Sequence, residues 1–407
     1  MMAPDSKASS SSGSVQSNSP AANAMARRAQ ALAPGLRRRM MNAAQGLTGV
    51  ISLSRGDPDQ ETPLHIIEAG QRALSSGWTH YTSWLGIPDL RDAIAAKLER
   101  DNGLVADPDR EILVTAGAQA ALYVAIQTLL EEGDEVLLPD PHYSAYEGAI
   151  ATSGAIAKLV PSQGETGFRV TVAELERALT PRTKVLVLVD PSNPGGDVLP
   201  SADVHDIADF VVRHNLVVLS DEVYEKLLFD GNVHTSIGAL PRMQERTVSL
   251  YSFSKSYAMT GWRIGYMVGP ADFMERASEL HSVISICASA SAQVAALEAL
   301  QGPQDNITAM NATYLERRNY MVEALGALGL PCVIPRGGFT LMIDIRSTGM
   351  SSVDFCLYLL RQAKVHVFPG AMYGPSGEGY ARMTLLAPLA RLREAAERIA
   401  LALPVPH

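Results

Sequence analysis

Cysteine is scarce in this sequence: 407 residues carry three, Cys287, Cys332 and Cys356. Their wide spacing offers neither a disulfide framework nor a metal-ligand pattern, and a reducing, cytoplasmic setting is the simplest reading. Long apolar runs are missing too. Hydrophobic residues make up 47% of the chain, yet none of their runs reaches the about 18 residues that a membrane-spanning helix needs. Positive charge is in deficit, with a formal net charge of −9, which argues against nucleic acid as the main partner. Lysine is scarcer still: of 34 lysines and arginines, seven are lysine. A chain that uses arginine for ordinary positive charge keeps single lysines for chemistry that arginine cannot do. Arginine stays protonated, whereas a buried lysine can lose its proton and attack an aldehyde. No internal repeat is visible, and residues 1–24, rich in Ser, Ala and Asn without a signal-like apolar stretch, read as a disordered extension.

What is present is an alternation. The strand-length apolar runs EILVTAG, DEVLLPD, AIAKLV, KVLVLVD, NLVVLSD, TVSLYSF and RIGYMVG lie between residues 64 and 310, separated by helical periods such as that near 118–131. This pattern predicts a mostly parallel sheet with helices on both faces. From about residue 311 it changes to a long helix (ATYLERRNYMVEALGAL), a strand (FTLMIDI), a helix (SVDFCLYLLRQA) and a final strand–helix pair, which predicts a smaller α/β unit. Ahead of the sheet, the basic stretch ARRAQALAPGLRRRMMNAAQ reads as a solvated amphipathic helix interrupted at Ala33, Pro34 and Gly35.

Polar residues cluster just past these strands. SFSKSYAMTGWRIGY follows TVSLYSF and carries Ser252, Ser254, Lys255 and Arg263. KVLVLVDPSNPGG ends in a turn with Asn193, and NLVVLSDEVYEKL ends in Asp221 with Tyr224 three residues on. In doubly wound sheets the carboxyl ends of strands are where ligands bind. LVTAGAQAALYVAI adds a strand, Gly117 and a helix start, whose N–H groups near Ala118 and Gln119 suit an anion. Taken in this order and spacing, from about Met25 to the C-terminus, the motifs strongly resemble the fold-type I aminotransferases of class I/II.

The resemblance implies pyridoxal 5′-phosphate as cofactor, with Lys255 forming an imine to its aldehyde. Asp221 would keep the pyridine nitrogen protonated, since an opposite charge favours the charged form. Tyr224 and Asn193 would face the ring's phenolic oxygen, and Tyr143 in LPDPHYSAYE would stack on the ring. Ala118, Gln119, Ser252, Ser254 and Arg263 would hold the phosphate, joined by Tyr81 of a neighbouring subunit in a homodimer. Arg382 in GYARMTLLAP would grip the substrate's α-carboxylate, with Gly56 and Asn193 as further substrate contacts. No metal is called for. The family layout assigns 25–63 as an N-terminal arm belonging with the small domain, 64–310 as the cofactor-binding large domain and 311–407 as the small domain.

Several positions depart from the family or read as bystanders. The turn Asn193, Pro194, Gly195, Gly196 lacks the usual threonine. Gln119 stands where some aspartate-handling relatives carry lysine, and Thr340 replaces an aromatic, which predicts a roomier or more polar pocket. Trp84 lines that pocket or belongs to core or interface. His142 reads as a solvent-exposed loop residue and Lys226 as part of a charged helix face. The function implied is transfer of an amino group between an L-amino acid and a 2-oxo acid. A C–S lyase or cyclopropane-forming synthase on the same scaffold would keep the same cofactor groups. The effector domain of an aminotransferase-like transcription regulator would need a winged helix-turn-helix ahead of the fold, for which the residues before 25 leave no room.

Overall fold

The structure is a computed structural model that describes residues 19–30, 32 and 35–403. Most of the expected disordered extension (1–18), the interruption at Ala33 and Pro34, and residues 404–407 lie outside the described residues. Within 19–24, Pro20–Asn23 forms one helical turn capped by Ser19.

After a two-residue strand β1 (Ile51–Ser52), the seven predicted apolar runs become β2 (Ile112–Thr115), β3 (Glu135–Asp140), β4 (Ile156–Pro161), β5 (Thr183–Val189), β6 (Val217–Asp221), β7 (Thr247–Ser252) and β8 (Gly265–Val268). They form one sheet in the order β2-β8-β7-β6-β5-β3-β4. Six strands point the same way, and β8 runs antiparallel to both its neighbours, β2 and β7. The reversal follows from the connection. Between β7 and β8 the chain makes only the four-residue helix Phe253–Ser256 and a short 3₁₀ turn, without the full helix that a parallel crossover requires.

The unbroken apolar runs reflect burial on both faces. In β5, Val185 and Val187 pack with helix Ala118–Leu129 through Leu122 and Ile126, whereas Leu186 and Leu188 pack with helix Ser201–Arg213 through Ile207 and Phe210. Burying each such side chain is worth about 1.5–3 kcal/mol, so a one-residue slip that swapped the faces would cost several of these contacts at once.

A second core lies beside the sheet. The antiparallel sheet β12 (Phe368–Pro369), β13 (Tyr380–Thr384), β10 (Thr340–Asp344) and β9 (Cys332–Val333) packs against helices Asp305–Ala327 and Ser352–Gln362. Met40, Ile51 and Leu53 from the N-terminal segment join this core, and β1 pairs in parallel with β11 (Val365–His366). Helix Asp305–Ala327 starts ahead of the pattern change, so the expected 310/311 boundary falls inside it. In the basic stretch, helix Leu36–Ala44 buries Met40 and leaves Arg37, Arg38 and Arg39 exposed. Among the described residues no helix is long and apolar enough to cross a membrane, and no cluster of residues could hold a metal ion.

Candidate active site

The carboxyl ends of β5, β6 and β7 open into a cavity of about 670 Å³ whose outer wall comes from the second core. Lys255 reaches it because Ser252, at the end of β7, caps a single helical turn by accepting from the Ser254 N–H at 3.1 Å. Buried Phe253 anchors that turn while Lys255, two residues on, faces the cavity. Its Nζ donates to the Gly56 carbonyl at 2.6 Å and lies 5.4 Å from the Phe339 ring centre. Burial, with the nearby Arg382 and Arg263 cations, outweighs Asp57 and Asp221 and brings the amine down to about 8.

Asp221 closes β6 and is buried. Tyr146 Oη donates to its Oδ2 at 2.8 Å and the Val223 N–H to its Oδ1 at 3.3 Å. Neither donor is a cation, and burial pushes the carboxyl up to about 6. Tyr224 lies against Phe339 edge to face, ring centres 5.3 Å apart, and burial raises its phenol well above the usual range. Tyr143 lines the neighbouring wall and donates to Gln119 Oε1 at 3.2 Å.

At the opposite end, Gly117 adopts φ +83° to start helix Ala118–Leu129, and a Cβ there would meet Arg263 Nη2 at 2.5 Å. Arg263 donates to two main-chain carbonyls, Thr260 at 2.9 Å and Ala116 at 3.4 Å. A helix N-terminus, a guanidinium bonded among the described residues only to carbonyls, and the hydroxyls of Ser252 and Ser254 make an anion cradle. On the outer wall Arg382, on β13 and 5% exposed, donates to the Ser54 carbonyl at 3.0 Å and stands over the Tyr373 ring at 5.4 Å.

Every predicted site residue except Tyr81 lines this cavity. Tyr81 is 78% exposed and belongs to a separate surface cleft with Trp78 and His80. Trp84 is also exposed and outside the cavity. His142 is a correction: it is 3% exposed, because the segment after β12 covers the β3 loop and the His142 N–H donates to the Tyr373 carbonyl at 2.7 Å. Thr340 is another. Its hydroxyl donates to the Pro194 carbonyl at 2.9 Å, so it pins the Asn193 turn and leaves the cavity wall to others. Lys226 sits on a turn rather than a helix and pairs with Asp101 at 2.7 Å.

The sequence reading missed Arg37 and Met41 from the N-terminal segment, Tyr373 under Arg382, Phe339 beside Lys255, and Tyr146 on Asp221. Nothing local separates Arg37 from Arg38 and Arg39. Nor does anything local mark Tyr146, which lies in helix Ala145–Ser153 just past the loop that carries Tyr143.

These residues fit the phosphorylated aldehyde cofactor. Asn193 Oδ1 and Arg382 Nε are buried without a hydrogen-bond partner among the described residues. Asp221 is a buried carboxyl whose partners supply no positive charge, and the anion cradle lies at the other end of the same cavity. Donors and acceptors left open this way suit a ligand with a basic ring nitrogen, a phosphate and a bound carboxylate.

Comparison with known proteins agrees. The family description "Aminotransferase class I and II" matches residues 48–399. The chain is 39% identical to aromatic-amino-acid aminotransferase 2 of Thermococcus litoralis, over 92% of this chain and 97% of that protein. It is 41% identical to an arginine–pyruvate transaminase of Pseudomonas aeruginosa, over 86% of this chain and 89% of the other. Among solved structures, aspartate aminotransferase of Thermus thermophilus with maleate superposes with a TM-score of 0.88 at 36% identity, covering 93% of this chain and 99% of that one. The chain therefore belongs to the class I and II aminotransferases, and it is a pyridoxal-phosphate-dependent transaminase.

Proposed function

We propose that Lys255 carries the amino-group transfer and that the cavity around it holds cofactor and substrate in the roles below. The observation that supports this most is the Lys255 amine: it lines the cavity with its pKa brought down to about 8. Near neutrality a useful fraction is then free base, as a proton-transfer group requires. When bound, pyridoxal phosphate supplies the aldehyde and the electron sink.

The chain's own groups do the rest. Asp221, ionised above about pH 6, holds a positive charge at the ring nitrogen. Asn193 and Tyr224 hold the ring oxygen, Tyr143 covers one ring face, and the Ala118 and Gln119 N–H groups with Ser252, Ser254 and Arg263 hold the phosphate. Arg382 presents a planar fork to the α-carboxylate, with Gly56 and Asn193 beside it, and so orients the substrate Cα. The Lys255 amine takes the proton from that carbon and, with the cofactor bound, would deliver it to the carbon of the cofactor's aldehyde group, so that the nitrogen stays with the cofactor and a 2-oxo acid leaves. The substrates are an amino acid and a 2-oxo acid.

Tyr81 is exposed and does not line its own cavity, and we read it as serving the cavity of a second copy in a homodimer. The arm 25–63 and residues 311–407 are read as one small domain, since Met40, Ile51 and Leu53 share the core of the C-terminal elements. The free thiols of Cys287, Cys332 and Cys356 agree with a cytoplasmic setting.

The test is Lys255→Ala, purified with cofactor and assayed with a panel of amino acids for 2-oxo acid formation. Turnover is expected to vanish while the protein stays folded. A variant with near-normal rate sinks the assignment, and release of ammonia, pyruvate or thiol by the parent protein would point to a lyase.

A further inference from the structure

Behind the cavity floor lies a polar cluster that the mechanism above does not use. His234 sits between two carboxylates, with Nδ1 2.7 Å from Asp190 Oδ2 and Nε2 2.9 Å from Glu222 Oε2. The side chains of His234, Asp190 and Glu222 are 7%, 4% and 0% exposed. Ionised carboxylates only accept hydrogen bonds, so both ring nitrogens must donate, and a ring with both nitrogens protonated is a cation. Burial by itself would expel that charge, but the bonds to Asp190 and Glu222 outweigh it and hold the ring up at about 10. Glu222 accepts in addition from the hydroxyls of Ser220, Ser236, Ser249 and Tyr251, at 3.0, 2.6, 3.1 and 2.9 Å.

The position of this cluster gives it a bearing on the site. Asp190 follows β5 directly and leads into the turn that carries Asn193, and its N–H donates to the Asp221 carbonyl at 3.1 Å. Glu222 follows Asp221 at the end of β6. We infer that His234 is a positioning residue charged at neutral pH: its imidazolium joins the ends of β5 and β6 and, by offsetting the charge of Glu222, helps keep Asp221 ionised. The inference rests on the role given to Asp221 under Proposed function.

Asp221 faces Tyr146 from helix Ala145–Ser153, Tyr143, Tyr224 and Lys255; burial raises its pKa most and Glu222 raises it further, while the Tyr146 and Val223 hydrogen bonds and the Lys255 charge lower it. His234 acts on the Glu222 part of this balance. Lys97, from helix Pro88–Asn102, approaches Glu222 from behind, but its ammonium is bonded to Glu225 and Asn102. Without the imidazolium, the Asp190–His234–Glu222 cluster would carry two negative charges next to Asp221 in place of one. A like charge nearby raises a carboxyl pKa.

The experiment uses the full chain freed of cofactor by dialysis, labelled with 15N-histidine and 13C-aspartate, in wild type, His234→Gln and His234→Lys. In the wild type the His234 ring is expected to keep both nitrogens protonated from pH 6 to pH 9. The Asp221 midpoint, identified by its loss in Asp221→Asn, is expected to move up by about one pH unit in His234→Gln and to return with the charge in His234→Lys. The acidic limb of kcat/KM for the cofactor-loaded protein should move with it. A neutral His234 ring in the wild type overturns the inference. So does an unmoved Asp221 midpoint in His234→Gln, which would mean that Glu222 takes up the proton itself. Should His234→Gln not fold, the wild-type ring and the His234→Lys midpoint decide. If Asp221→Asn binds cofactor and turns over like wild type, the reading of the site has failed instead.

Discussion

Gly117→Ala tests how the anion cradle is assembled. Gly117 holds φ +83° and ψ 160°, a region that L residues avoid at a cost of about 1–3 kcal/mol. The added methyl would also lie 2.5 Å from Arg263 Nη2 and 3.0 Å from its Cζ, closer than van der Waals contact allows. Arg263 has little freedom to yield in place: its own φ is +53° and its guanidinium is tied to the Thr260 and Ala116 carbonyls. The guanidinium must therefore swing away, giving up the Ala116 bond and its place beside the start of helix Ala118–Leu129. Losing one hydrogen bond to a charged group costs about 1.5–3 kcal/mol, so cofactor affinity should fall roughly 10- to 150-fold.

The assay is cofactor dissociation followed by visible absorbance during dialysis, together with thermal melting with and without cofactor. Gly103→Ala is the control. Gly103 has φ +66°, but its nearest new contact would be Ala239 Cβ at 3.9 Å. That variant should melt earlier and bind cofactor normally. Wild-type cofactor affinity in Gly117→Ala would refute the reasoning, because the methyl would then coexist with Arg263 in its working position.

Two further outcomes are expected. Arg382→Lys replaces a planar fork over Tyr373 with a point charge; kcat/KM for amino acids should drop by the about 2–5 kcal/mol typical of a buried charged pair, roughly 30-fold to several thousand-fold, and an unchanged value would remove Arg382 from substrate binding. The His234 cluster should also shape stability against pH. His234 is raised in the fold from 6.5 to about 10, so its contribution is complete below 6.5 and is lost as pH climbs toward 10. Urea midpoints of cofactor-free protein should therefore fall more steeply between pH 6.5 and 9.5 in wild type than in His234→Gln; parallel slopes would contradict the doubly bonded ring.

The fold was largely legible because its signals are local. Seven apolar runs, each bounded by turn residues, became the seven strands of the main sheet, since burial on both faces requires continuous hydrophobicity. The reversed direction of β8 was not legible, because direction depends on whether the connection contains a full helix. The site was legible where chemistry is carried by residue type at fixed spacing after a strand: Lys255, Asp221, Asn193 and Arg263 line one cavity. His142 misled because a loop position in sequence says nothing about what packs over it, and here the segment carrying Tyr373 does. Thr340 misled because its hydroxyl was taken as a pocket feature, whereas it bonds to the Pro194 carbonyl.

By itself the sequence determined which elements form, where each strand ends, and which side chains are delivered at those ends, since each follows from periodicity and short spacing along the chain. Tertiary structure decided everything that needs two distant segments to meet. It brought Arg382 over Tyr373 and beside the Ser54 carbonyl, Tyr146 onto Asp221, Arg37 to the cavity wall, and His234 between Asp190 and Glu222. These contacts set the charge state of the Lys255 amine and the Asp221 carboxyl, because burial and neighbouring charge are properties of the packed molecule and not of the chain.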